Sequence, residues 1–293
     1  MSEGIQFEEI VDGLAFPEGP VVMADGSVIV VEMGTGHITR CWSGCKELVA
    51  DPGGGPNGAA IGPDGALYVC NNGGMNMSGY GFADRSGGPG RIERINLATG
   101  RVERLYETCD GRPLSAPNDL MFAADGSFWF TDLGKTGASS REHGGLYHAR
   151  PDGSMIRCIH YGPVYYNGVG LAPDERTVYV AETPSARLYA FDIDAAGNPG
   201  KRRMIGTAPG MVMLDSLAMT AAGNIAVAQL YQGGVATFTP QGAVSVIRCP
   251  DPMTTNIAFG GEDMRTAFLT QSKGGRLIRA RWPEAGLRLR FNG

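Results

Sequence analysis

Charge is scarce in this sequence. Asp, Glu, Lys and Arg make up 19% of its 293 residues, against roughly 25% in an ordinary globular chain. No block of five or more basic residues occurs and the formal net charge is −5, so a nucleic-acid or polyanion partner is not expected. There is no run of about 18 apolar residues, which argues against a membrane-spanning helix. The opening residues, MSEGIQFEEIVDG, are acidic and lack the apolar stretch of a secretory leader. Of the six cysteines only Cys41 and Cys45 lie close together, and a C-x3-C spacing without a second pair does not make a closed zinc site. Reduced thiols in a cytoplasmic protein are the expectation. No G-x-S-x-G nucleophile elbow, Walker loop or complete G-x-G-x-x-G is present.

Glycine, by contrast, is abundant. The 45 glycines are about twice the usual share of ~7%, and they disfavour a helical bundle. Hydrophobic residues at 43% exclude a disordered chain. A repeat explains the glycines. Turns at MADG (23–26), GPDG (62–65), AADG (123–126), APDE (172–175), TAAGN (220–224) and GGED (260–263) each precede a β-prone run: SVIVVE, ALYVCN, SFWFTD, RTVYVAE, NIAVAQ and RTAFLTQ. Each unit reads as a hairpin extended by further strands. Six units of four strands predict an all-β, six-bladed propeller filling residues 1–293 as one domain. The strand QFEEIVDG has no blade of its own upstream. It is expected to join the last blade and close the ring, with the tail GLRLRFN pairing beside it or flanking it.

One further position repeats. Seven residues before each turn residue stands a side chain with an oxygen donor: Glu18, Asn57, Asn118, Asn167, Asp215 and Asn256. Each opens the innermost strand of its blade, so the six should ring one mouth of the central tunnel. Two readings are open. Asn and Asp also close Asx turns ahead of strands, but Glu18 does not suit that role. Two carboxylates converging among amide oxygens repel one another unless a cation lies between them, and hard cations such as calcium take all-oxygen sites. The ring has no His or Cys, which disfavours zinc and copper.

Two long loops should rise over the same mouth: NNGGMNMSGYGFADRSGGPG at 71–90 and DLGKTGASSREHGG at 132–145. The first carries Met75, Met77, Tyr80 and Phe82, which suit either a lid over an organic ligand or packing on a neighbouring blade. Loops leading into the inner strands add Phe16, Arg112, Tyr165, Tyr166, Met211, Met213 and Met253. Together these predict a polar floor under an apolar wall, with Asn57, Asn118, Tyr166, Asn256, Met75 and Phe82 as substrate contacts. His143 is a candidate acid or base from the second loop; a solvated loop histidine is the plainer alternative. Trp42, Trp129 and Trp282 read as packing residues.

With these residues the chain resembles the regucalcin/gluconolactonase family, also called senescence marker protein-like. The matching segments are FPEGP around Glu18, SAPNDLMFAADGSFWFTD around Asn118, YYNGVGLAPDERTVYVAET around Asn167 and LDSLAMTAAGNIAVA around Asp215. The resemblance implies a six-bladed propeller with one divalent cation in the tunnel, calcium first, with zinc, magnesium, manganese and iron(II) left open. It implies metal ligation by Glu18, Asn167 and Asp215, and a metal or substrate contact from Asn118. The activity it implies is lactone hydrolysis, with Asp215 and Glu18 as catalytic groups. Sugar-lactonase members commonly carry Arg two residues before the Asn of the N-D pair. Here that position is Ala116, which with the Met-rich loop points to a less polar lactone or ester. Two other expectations stand beside this one: a hydrolase resembling diisopropylfluorophosphatase, which uses a Glu-Asn-Asn-Asp calcium site, and a non-enzymatic calcium-binding propeller. The expected partner is a small-molecule lactone or ester, and a monomer or small homo-oligomer is equally compatible with the sequence.

Overall fold

The structure, a computed structural model, describes residues 4–137 and 139–292. Six four-stranded antiparallel sheets form a ring. Blade 1 comprises Pro17–Val22, Val28–Glu32, His37–Trp42 and Cys45–Ala50, from the axis outward. Blade 2 is Pro56–Ile61, Leu67–Asn71, Arg91–Ile95 and Val102–Tyr106, and blade 3 is Pro117–Phe122, Phe128–Asp132, Gly144–Ala149 and Ile156–Gly162. Blade 4 runs from Tyr166–Leu171 to Arg203–Thr207 and blade 5 from Met213–Met219 to Val244–Ile247. In blade 6, Thr254–Gly260, Thr266–Gln271 and Arg276–Arg281 are completed by Phe7–Val11. The N-terminal strand runs antiparallel to Arg276–Arg281, Phe7 opposite Ala280, and Arg279 pairs with Glu8 at 2.6 Å. The ring is therefore closed by pairing of its two ends, as the unmatched first strand suggests.

The hairpin turns explain the repeat. The carboxylates of Asp25, Asp64, Asp125, Asp174 and Asp263 each accept the backbone N–H two residues on. Gly26, Gly65 and Gly126 follow in the left-handed region, at φ 83, 74 and 79°, where glycine carries no Cβ penalty.

Most of the core lies between blades. Val21, Ile29 and Val31 of blade 1 pack on Ile61, Leu67 and Val69 of blade 2. Tyr68 meets Phe122 and Phe128 of blade 3 edge-on or tilted, at 5.0 and 6.1 Å. Similar clusters fill the remaining interfaces. A sheet buried on both faces has little room for charge, which accounts for the scarcity of ionisable residues. Trp129 and Trp282 are buried in two of these layers, while Trp42 is 37% exposed on the outside of blade 1.

The C-terminal tail departs from the sequence expectation. It does not pair with the N-terminal strand. Gly286 bridges to Thr220, Leu287 N–H donates to the Met219 carbonyl at 2.8 Å, and Phe291 meets Phe122 edge-on at 5.9 Å. The tail thus closes the end of the tunnel remote from the ring. The apolar side chains of GLRLRFN find open inner-strand ends there, which edge pairing on blade 6 would not bury. Among the described residues no helix is long and apolar enough to cross a membrane.

Candidate functional site

All six ring side chains are buried and stand at one mouth of the tunnel. Glu18 is 2% exposed and Asp215, the most open, 7%. A local irregularity aims them. In every blade the register between the innermost strand and its neighbour shifts beside the ring residue: between Glu18 and Val21, Pro56 and Ala59, Pro117 and Leu120, Tyr166 and Val169, Leu214 and Leu217, and Thr254 and Asn256. A bulge turns a side chain away from ordinary alternation. Close approach of the inner strands adds to this. A Cβ on Gly58 would lie 2.5 Å from Asp119 Cα, and one on Gly168 would lie 2.6 Å from Leu217 N. Glycine after the ring residue lets adjacent blades meet at the axis.

The acidic members are short of counter-charge. Among the described residues no ion pair includes Glu18 or Asp215. Burial raises the Glu18 pKa well above the carboxylate range, and the Asp215 charge adds to it. Burial pushes Asp215 up to about 8, opposed by a hydrogen bond from Asn167. A third acid, Asp119, shares the tunnel and is pushed up to about 7, again chiefly by burial. The sequence analysis missed Asp119 as a site residue; its signal is the acid directly after Asn118 in the N-D pair.

These residues fit a hard cation. The amide oxygen of Asn118 is buried without a hydrogen-bond partner, an arrangement that costs free energy unless a donor or cation meets it. Asn118 and Asn167 supply neutral oxygens between carboxylates that repel each other. Among the described residues no three His, Cys, Asp or Glu side chains cluster at metal-ligand spacing, so the candidate set depends on amide oxygens. Asn256 is differently placed: its Nδ2 donates to Glu18 at 3.3 Å and its Oδ1 accepts Ile257 N–H at 2.8 Å. It orients Glu18. Asx turns are made by the hairpin aspartates named above and by loop residues such as Asn71, Asp132 and Asp251, whereas no ring side chain accepts the N–H two residues on among the hydrogen bonds of the described residues.

A second set of buried polar residues holds the loops that lead into the ring. Glu32 accepts Ala15 N–H at 2.6 Å, Asn71 accepts Gly55 N–H at 3.0 Å, and Gln271 accepts Asp251 N–H at 2.9 Å. Asp132 accepts Ser115, Ala116 and Gly134 N–H, each at 2.8 Å. The sequence analysis missed this set too. Each closes the second strand of its blade, fourteen or fifteen positions after a ring residue.

The roof is partly as expected. Phe16, Met33 and Met77 are buried together, with Phe82 and Met253 packed on them, so the 71–90 loop folds back over blade 1 toward blade 6. Phe82 lies against Gly34, whereas Met75 is 38% exposed. Two expected contacts are corrected. Tyr166 is fully buried, its hydroxyl bonded to Arg202 at 3.0 Å and to His160 of blade 3 at 3.2 Å; strand alternation sends it into the layer between blades 3 and 4, away from the side Asn167 takes. His143 is exposed and meets Tyr161 of the outermost strand of blade 3 edge-on at 5.2 Å. That strand is about 14 Å from the innermost one at ordinary strand spacing.

Below the ring, the tunnel holds a cavity of about 90 Å³ bounded by Asp119, Leu120, Val169, Met219 and the tail residues Leu287 and Phe291. It is too small for an organic substrate, which ordinarily needs roughly 300 Å³ or more.

Fold and site define a six-bladed propeller with a ring of oxygen donors at one end of a plugged tunnel. The chain belongs to the SMP-30/gluconolactonase/LRE-like region family, whose model matches residues 16–273. It is 25% identical to a gluconolactonase of Zymomonas mobilis over 300 residues, covering 90% of this chain and 78% of that one. It is 32% identical to a 6-deoxy-6-sulfogluconolactonase of Pseudomonas putida over 195 residues, covering 63% and 64%. The fold matches the calcium-binding protein regucalcin of Agrobacterium tumefaciens with a TM-score of 0.73, at 21% identity over 94% of this chain and 95% of that one.

Proposed function

We propose that this protein is a divalent-cation-dependent hydrolase that opens lactones. The observation that carries the reading is the buried convergence of Glu18 and Asp215 beside the unpartnered amide oxygen of Asn118. Membership of the family and the names of its lactonase relatives support it. Glu18, Asn118, Asn167 and Asp215 would hold the cation, with calcium the ion best suited to their oxygens. When bound, it supplies Lewis-acid polarisation of the ester carbonyl.

The protein's own groups do the rest. Asp215, ionised in the loaded site, takes a proton from the attacking water. Water oxygen bonds to the carbonyl carbon, the ring C–O bond breaks, and the departing alkoxide receives the proton that Asp215 took, giving a hydroxy acid and restoring the carboxylate. Glu18 is kept in place by Gly19 N–H at 3.1 Å and by Asn256. Asn167 is held toward Asp215. The 71–90 loop restricts water at the mouth.

A panel of lactones, aryl esters and phosphotriesters, compared by kcat/KM, tests the reading. Lactones should lead. A lead for phosphotriesters would favour the diisopropylfluorophosphatase-like alternative, and inactivity on all three would favour a calcium-binding scaffold.

A further inference from the structure

Three exposed apolar side chains on ring-face loops do not stand alone: Met75 at 38%, Tyr80 at 49% and Tyr231 at 62% exposure. Two of them, Tyr80 and Tyr231, adjoin the buried cluster of Phe16, Met33 and Met77. Tyr80, at the end of the short 3-10 turn Ser78–Tyr80, meets Phe16 edge-on at 4.9 Å. Tyr231 follows Leu230, which bridges to Met253, itself packed on the same cluster. Blades 2 and 5 thus each bring a tyrosine to one apolar rim. The Tyr80 phenol is raised by partial burial first, then by the Tyr231 phenol and the Asp215 carboxylate, so both lie within its electrostatic reach.

The backbone supports a selected position. Tyr231 sits at φ 73° and Phe16 at φ 57°, in the left-handed region that bulky residues rarely occupy. Such strain persists where the surrounding structure over-determines it, ligand clamps among those places.

The cations of the two long loops are engaged. Arg85 Nε donates to the Gly54 carbonyl at 3.0 Å and Lys135 Nζ to the Gly88 carbonyl at 2.5 Å. Arg141 donates to the Val164 carbonyl at 2.9 Å and lies 3.8 Å from the centre of the Tyr165 ring. Ala116, two residues before Asn118, is buried and offers no polar side chain. A sulfonate would find the cations of these loops already engaged, whereas an apolar group would cover exposed aromatic surface.

We propose that Tyr80 and Tyr231 clamp an alkyl or aryl substituent of the lactone ring, so that the substrate class is hydrophobically substituted lactones. This rests on the lactonase reading above, but the clamp can be tested without turnover. A δ-lactam, being an amide, is opened far less readily than the matching lactone and so reports binding. Binding of a phenyl-substituted δ-lactam and of the unsubstituted δ-lactam should be compared by calorimetry on the calcium-loaded full chain. Burial of a phenyl group predicts at least about tenfold tighter binding of the substituted ring. Tyr231→Asn, which tolerates the left-handed backbone, and Tyr80→Ala should each reduce that ratio severalfold; Tyr231→Phe should retain it. A ratio near one in the unaltered protein, or a ratio unchanged in both truncations, overturns the clamp. Lactam discrimination without hydrolysis of any lactone would overturn the catalytic reading alone; hydrolysis without discrimination would overturn the clamp alone.

Discussion

Glu18 of blade 1 and Asp215 of blade 5 converge at the tunnel mouth, both buried, close enough for the charge of one to raise the pKa of the other. Neither has a basic partner among the described residues. Buried carboxylates in this state are neutralised by protons or by a cation, and the unpartnered Asn118 oxygen favours the cation.

Asp215→Asn keeps the shape of the side chain and removes its basicity. We expect kcat on a lactone to fall by about 10²–10⁴, the usual contribution of a positioned general base, with an unchanged far-ultraviolet circular dichroism spectrum. Activity within a few-fold of the unaltered enzyme in the calcium-loaded variant would remove Asp215 from the base role.

Calcium should stabilise the fold. A ligand that binds only the native state at 100 times its Kd adds about 2.7 kcal/mol, and melting should shift upward accordingly. Glu18→Gln should blunt the shift. Equal shifts in the variant and the unaltered chain would mean that the cation binds elsewhere.

Gly168→Ala tests the blade approach. Its Cβ would fall 2.6 Å from Leu217 N and 2.8 Å from the Asp215 carbonyl. Overpacking of this kind costs about 1–3 kcal/mol. Denaturant unfolding should show that loss, together with weaker calcium binding because Asp215 is displaced. A neutral result on both measurements would show that the axis is looser than described.

His148 offers a pH test remote from the tunnel. It stacks on Trp129 at 4.4 Å and bonds Ser127 at 2.8 Å. Burial, the largest influence, lowers its pKa below 6.5. The unfolded chain therefore binds a proton here before the folded one does. This contribution to stability is complete above about pH 6.5 and lost as pH falls through the folded pKa. His148→Gln should lessen the decline in melting temperature between pH 7 and pH 5; an identical decline would remove His148 as a contributor.

The architecture was legible because the repeat is carried by local chemistry. Asp at the hairpin turns, glycine after it and alternation beyond it appear in the chain in order. The ring was legible for the same reason, through a constant offset from those turns. Tyr166 was not, because alternation turns it to the side opposite Asn167, and the partners that hold it there, His160 and Arg202, become its neighbours only when blades 3 and 4 pack together. The tail was misplaced because its partners, Met219 and Phe122, become neighbours only when the ring closes. The clamping residues Glu32, Asn71, Asp132 and Gln271 were visible as strand-final polar residues, yet nothing local says that they grip the loop of another strand.

The most direct measurement is acid release from a lactone by the chelator-treated protein before and after divalent cation is restored. The account predicts that release falls to the uncatalysed rate after chelation, recovers with calcium, and does not recover in Asp215→Asn. Full hydrolysis by the metal-free protein would contradict it.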